Sequence, residues 1–237
     1  MSSELEPDPL VARQHAAEVY GELKRRIIEL AMAPGMPLCP EALAAELGAS
    51  PADVRVAVTR LRGDGLVTAT GADVRVTPVD MKAAEDVLSL RDLLEGEAVA
   101  TAARAGIDVF RAHELQRLCD ATVHVEGGST RSSRRANTVF HVALARTGGN
   151  DVLADVLERV LTQLERLFNL GVPAGACAED TIYGHNALLA AAIAGDVDGA
   201  RSLALGHAQR TRDMVLKTIA WREALVAGGA TAGPAAG

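Results

Sequence analysis

Apolar residues in the first third of the chain fall at helical spacing and then change period. Val19, Leu23, Ile27 and Leu30 recur every three or four positions, and this stripe predicts a helix from Val11 to about Ala33. Pro34-Gly35 and Pro37 end it. A shorter helix, about Pro40 to Leu47, presents Leu43 and Leu47 and stops at Gly48, a residue suited to the left-handed position past a helix end. Ser50-Pro51-Ala52-Asp53 opens a third helix. Ser50 can cap it, Pro51 loses no intrahelical donor at the first position, and Asp53 complements the positive helix end. Val54, Val58 and Leu61 form its inner face. The period then shortens to two in Leu66–Thr70 and Val74–Thr77, joined by Gly71-Ala72-Asp73, which predicts a hairpin. Three helices followed by a hairpin outline a winged helix-turn-helix.

Beyond Pro78 the pattern is helical throughout, with helices predicted near 80–105, 108–125, 131–147, 150–170, 178–194 and 197–222. Gly106, Gly127-Gly128, Gly148-Gly149 and the run Gly171 to Gly175 separate them. The expected fold is mainly α, an N-terminal winged helix-turn-helix plus a C-terminal all-α helical bundle. Its parts are a flexible tail (1–10), a DNA-binding domain (11–78), an effector-binding and dimerisation domain (79–226) and a disordered tail (227–237).

Composition narrows the class. With 49% hydrophobic and 23% charged residues, the chain has enough apolar material for a core, and wholesale disorder is excluded. No long uncharged apolar stretch and no signal-type apolar start occur, so a cytoplasmic protein without membrane spans is expected. Cys39, Cys119 and Cys177 are far apart and contain no CxxC, which reads as isolated thiols rather than a disulfide frame. The net charge of −7 argues against non-specific coating of nucleic acid but leaves room for a local basic face.

Three of the six histidines, His141, His185 and His207, fall on three different predicted helices of the second domain. Asn137 precedes His141 by four positions and shares its helix face. Imidazoles and a side-chain oxygen converging in a bundle suit a divalent transition metal, while hydrogen-bonded core histidines are the plainer reading. Arg91 lies in Leu88-Ser89-Leu90-Arg91-Asp92-Leu93-Leu94-Glu95. It can pair with Glu95 or fork onto the carboxylate of a ligand.

Together these residues resemble the GntR family of bacterial transcription regulators, in the FadR-type branch with an all-helical FCD sensor domain. The resemblance spans about residues 11–222. It is carried by Val19-Tyr20-Gly21-Glu22-Leu23, Leu43-Ala44-Ala45-Glu46-Leu47-Gly48-Ala49-Ser50, Val54-Arg55 and Gly65-Leu66-Val67 in the first domain. In the second it rests on Leu90-Arg91-Asp92-Leu93-Leu94-Glu95, Asn137-Thr138-Val139-Phe140-His141, Gly149-Asn150, His185 and His207. It implies a metal held by Asn137, His141, His185 and His207, Zn²⁺ first, with Ni²⁺ or Mn²⁺ as alternatives. Asn137 stands where relatives carry Asp, so weaker metal retention and a stronger pull on anions are expected. Pro51 replaces an arginine common at the start of the recognition helix, and Pro40 replaces a glutamate. Ser50, Arg55, Thr59, Arg60, Arg62 and Arg75 remain as DNA-binding candidates, with Lys24-Arg25-Arg26 nearby in sequence. Residues 1–80 hold eight lysines and arginines against twelve acids, so binding requires those arginines to gather on one face.

The expected function is a ligand-responsive regulator, a repressor by resemblance. Its partners would be a double-stranded DNA operator, a small carboxylate or other anionic effector contacting Arg91 and Asn137, and a second copy of the chain. The alternative is a metal-dependent enzyme on a helical bundle with a vestigial helix-turn-helix, which would need a general base that Asn137 cannot supply. A TetR-type regulator is disfavoured because that type lacks a wing.

Overall fold

The computed structural model describes residues 9–71, 73–122, 130–171 and 178–227. The chain divides into two compact units on either side of Val79 and Asp80.

In the first unit, α1 (Pro9–Ile28), α2 (Pro40–Leu47) and α3 (Pro51–Gly63) precede the strands β1 (Val67–Thr70) and β2 (Asp73–Val76). The predicted inner faces hold: Leu23, Ile27, Val54, Leu61, Leu66 and Val76 are all fully buried in one core. Ser50 caps α3 through a reciprocal box, its Oγ accepting from the Asp53 backbone while the Asp53 carboxylate accepts from the Ser50 backbone. The strands pair antiparallel, Val67 opposite Val76 and Thr70 opposite Asp73.

Two expectations need correction. First, α1 begins at Pro9, inside the expected tail, and ends at Ile28 rather than near Ala33. Leu30 takes a left-handed backbone (φ 63°), and Met32, not Leu30, enters the core. Packing has overridden a good local helix former, at a cost of roughly 1–2 kcal/mol for the left-handed leucine. Second, the segment read only as a helix stop pairs with the wing. Gly35 N donates to Val76 O (2.9 Å), Val76 N to Met36 O (2.9 Å) and Leu38 N to Val74 O (2.8 Å). Proline is tolerated on such an edge because no ladder donor is needed there.

The second unit is helical throughout: α4 (Met81–Ala105), α5 (Val109–Ala121), α6 (Thr130–Thr147), α7 (Asp151–Asn169), α8 (Ala178–Ile193) and α9 (Val197–Ala227). Asp80, Asp108 and Asn150 cap α4, α5 and α7 through their side chains. Helix α4 is the axis, packing against α6, α7, α8 and α9. Ala192, Ala200 and Ala204 are buried beside Phe140, Leu144 and Leu188, so small residues let the helices approach. Gly148 marks one close approach: a β-carbon there would stand 2.7 Å from Thr101 Oγ1 and 3.0 Å from the Ala102 nitrogen. Helix α9 runs five residues past the predicted end and includes Ala227. The rest of both expected tails, Gly127-Gly128, Cys177 and Val172 to Gly175 lie outside the described residues. Among those described, no helix is long and apolar enough to cross a membrane. The protein is mainly α-helical, with an N-terminal helix cluster, a small hairpin and a C-terminal all-helical bundle.

Candidate metal centre and nucleic-acid interface

Three helices bring the predicted histidines together. His141 follows the buried Phe140 on α6, His185 precedes the buried Leu188 and Leu189 on α8, and His207 comes from α9. All three are buried, and their ligand atoms lie within 4.8 Å of one another. The His141 and His185 Nε2 atoms are 3.0 Å apart. His207 fits beside α8 because Gly184 has no side chain; a β-carbon there would press on the His207 Nδ1 at 3.3 Å. Asn137, one turn before His141, is half-buried.

The far side of each of two rings is occupied. His141 Nδ1 lies 2.9 Å from Glu95 Oε1, at ion-pair distance although too oblique for a well-formed hydrogen bond. His185 Nδ1 lies 3.2 Å from Thr122 Oγ1, which itself donates to the Cys119 carbonyl at 2.7 Å. Both Nδ1 atoms thus stand beside oxygens, and the two Nε2 atoms face each other in the buried interior. A proton donated from one ring to the other, or a metal ion, can occupy the space between them.

Electrostatics favour neutral His185 and His207 rings near an ionised Glu95 carboxylate. Burial first, then the Arg91 charge, pushes His207 down to about 3. Burial, then His141 and His207, holds His185 well below the usual imidazole range. Burial alone would raise Glu95, but Arg91 and then His141 outweigh it and keep the carboxyl well below its ordinary range.

Arg91 and Glu95, four residues apart on α4, form an ion pair with side chains only 1% exposed. Arg91 Nε and Nη2 both donate to the carboxylate, whereas the buried Nη1 has no hydrogen-bond partner among the described residues. Of the two readings of Arg91, the pairing with Glu95 is the one formed, and it leaves the Nη1 amino group as the remaining donor nitrogen. Glu95 and Thr122 were not anticipated as site residues. Glu95 was visible in sequence as a partner for Arg91, while nothing in the sequence pointed from Thr122, at the end of α5, to His185.

The candidate DNA-facing residues are mostly engaged with neighbours. Ser50 is occupied in the α3 cap. Arg55 Nη2 donates to Glu41 Oε1 across α2 and α3 (2.5 Å), both side chains being about 60% exposed (59% and 61%). Thr59 Oγ1 donates to the Arg55 carbonyl, and Arg60 lies over the Tyr20 ring at 3.8 Å. Arg62 is exposed, and Arg75 pairs with Asp73 at 2.7 Å. Lys24, Arg25 and Arg26 meet Asp64, Glu22, Glu29 and Glu46. Arg55, Thr59 and Arg62 share the exposed side of α3, but carboxylates temper the basic face.

The FCD domain profile matches residues 86–210, more than half of the chain, and the profile for bacterial regulatory proteins of the gntR family matches residues 15–72. No curated protein matches the sequence significantly. Among solved structures, the chain is similar to Escherichia coli McbR/YncC at 22% identity, covering 86% of this chain and 97% of that one (TM-score 0.70). It is similar to a transcriptional regulator GntR from Rhodococcus sp. RHA1 at 22% identity, covering 86% and 98% (TM-score 0.71). Lar of Listeria monocytogenes, at 19% identity, covers 85% and 96% (TM-score 0.56). Those likenesses speak for the fold. The two profile matches, in the order winged unit then helical bundle, place this chain in the GntR family of bacterial regulators, DNA-binding proteins rather than enzymes, with an FCD ligand-binding domain.

Proposed function

We propose that this regulator is a homodimeric repressor that senses a small carboxylate or other anion at a divalent ion held by His141, His185 and His207, with Asn137 as a weak fourth ligand. The observation that carries the reading is the 3.0 Å approach of two buried Nε2 atoms. At the tetrahedral angle that Zn²⁺ prefers, two nitrogen ligands about 2.1 Å from one ion would stand about 3.4 Å apart, so these two rings would need to part by only a few tenths of an ångström to share one. All three ligand atoms lie within 4.8 Å of one another, close to the about 4.2 Å that two such bonds can span. Zn²⁺ suits this set, as do Ni²⁺ and Mn²⁺. The ion supplies a Lewis-acid seat for one anion oxygen, and Arg91 Nη1 offers a further donor.

In the first unit, Arg55, Thr59, Arg60, Arg62 and Arg75 would face the operator, with Ser50 fixing the start of α3. Two copies would place two α3 helices in successive major grooves. Exposed Leu90 and Leu93 on α4 and Val152 on α7 give a second copy apolar surface to cover. Anion binding then biases the bundle and the spacing of the paired winged units.

Elemental analysis of protein purified without chelator, followed by titration with Zn²⁺, Ni²⁺ and Mn²⁺, tests the centre. Asn137→Asp should tighten the metal and weaken the anion, and His185→Ala should lose both. Binding of none of these ions at micromolar levels, with a carboxylate still releasing DNA, would transfer sensing to Arg91 and the pocket alone. Light scattering of the full chain at micromolar concentration should give the dimer mass.

A further inference from the structure

We infer that Thr122 and Glu95 are positioning residues that hold His185 and His141 as their Nδ1-protonated tautomers, so that both Nε2 lone pairs point at one place. The Thr122 hydroxyl has one proton and two neighbours, the Cys119 carbonyl at 2.7 Å and His185 Nδ1 at 3.2 Å. The shorter contact takes the proton, because the carbonyl can only accept. The longer contact then runs the other way, from ring N–H to hydroxyl oxygen. Glu95 gives the same result on the facing ring. Both Glu95 oxygens accept from Arg91, so the carboxylate oxygen 2.9 Å from His141 Nδ1 stands there as an acceptor and favours the proton on that nitrogen.

Two chains of partners, Arg91–Glu95–His141 from α4 and Cys119–Thr122–His185 from the end of α5, therefore converge on one cation seat. Partners of this kind fix ring orientation and tautomer, and losing one typically costs about 10–100-fold in metal affinity. The consequence for affinity rests on the metal reading proposed above. The tautomers themselves belong to the metal-free chain.

The test uses the full chain with ¹⁵N-labelled histidine, stripped of metal by chelator, and long-range ¹H–¹⁵N correlation spectra that report each ring's protonated nitrogen. His185 in wild type should carry its proton on Nδ1. Thr122→Val, close in shape but unable to accept, should admit the Nε2-protonated form and weaken Zn²⁺ binding about 10–100-fold, and Thr122→Ser should restore both. Glu95→Gln, which keeps an acceptor oxygen but not the charge, should weaken Zn²⁺ similarly and leave the His185 tautomer unchanged. An Nε2-protonated His185 in wild type, or an unmoved tautomer in Thr122→Val, overturns the inference even if Zn²⁺ binds. Wild type with the assigned tautomers that binds no Zn²⁺, Ni²⁺ or Mn²⁺ overturns the metal reading and leaves the positioning roles standing.

Discussion

Arg55 and Glu41 in the first unit, and Arg91 and Glu95 in the second, are both arginine–carboxylate pairs, yet they sit in opposite environments. The first pair bridges α2 and α3 with both side chains more than half exposed, and the second lies inside the bundle at 1% exposure. Water screens the surface pair, so it can open toward another anion such as a phosphate at little cost. The buried pair has no such freedom: each charge depends on the other and on the rings beside it. One unit keeps its charges tradeable for a polyanion. The other fixes its charges to shape a small site.

The largest expected effect comes from cutting the buried pair. Arg91→Met leaves Glu95 without its main counter-charge and should destabilise the second unit by about 3–5 kcal/mol in chemical denaturation. A loss below about 1 kcal/mol would make the two pairs equivalent and break the comparison. Acid is the next lever. The unfolded-state imidazoles protonate near pH 6.5, whereas His185 and His207 stay neutral when folded. The unfolded chain then binds more protons, and stability falls as pH drops below 6.5, by about 2 kcal/mol per imidazole at pH 5. Glu95, lowered in the folded state, contributes stability that is lost only below about pH 4.5, so the window from 6.5 to 5 isolates the rings. The first unit's only described histidine, His15, is exposed. Hydrogen exchange on chelator-treated protein should show α9 amides losing protection across this window while α3 amides hold theirs.

How far each unit was legible follows from where its information lies. In the first, the stripe Val54, Val58 and Leu61 and the Ser50 cap are local patterns and came out as read, while Asp53, read only as a charge suited to the helix end, also closes a capping box. Leu30 failed because a long-range demand, Met32 filling the core, reversed a helix that local propensity favoured. In the second unit the helices were readable from breakers and periodicity, and the three histidines do meet. What stayed hidden was the support around them. Thr122 is 63 positions from His185, and no spacing rule joins the end of one helix to the middle of another. Glu95 was read as a partner for Arg91, not as a carboxylate shared with His141.

On the exposed pair, Arg55→Ala should leave folding within about 1 kcal/mol of wild type, because the ion pair it loses is solvated. Operator affinity should nonetheless fall by about 1–3 kcal/mol if the side chain leaves Glu41 to reach a guanine edge. Selection from random DNA, followed by titration of both proteins on the selected site, measures this. An equal loss on every sequence would reassign Arg55 to phosphate contact. Unchanged affinity would remove it from the interface.

Glu41→Gln should give the smallest effect and sharpen the contrast most. Glu41 competes with DNA for the Arg55 guanidinium and adds a negative charge beside the expected path of a phosphate backbone. Gln keeps the side-chain length and an acceptor oxygen but releases most of the attraction. Stability should therefore change by less than about 1 kcal/mol, and DNA should bind a few-fold more tightly at low salt, with the gain shrinking as salt screens the removed charge. The matching change inside the bundle, Glu95→Gln, leaves Arg91 buried without its counter-ion and should be far more destabilising. If Glu41→Gln instead weakens DNA binding, the carboxylate holds Arg55 in its reading position rather than competing with DNA, and the surface pair is as much a fixed device as the buried one.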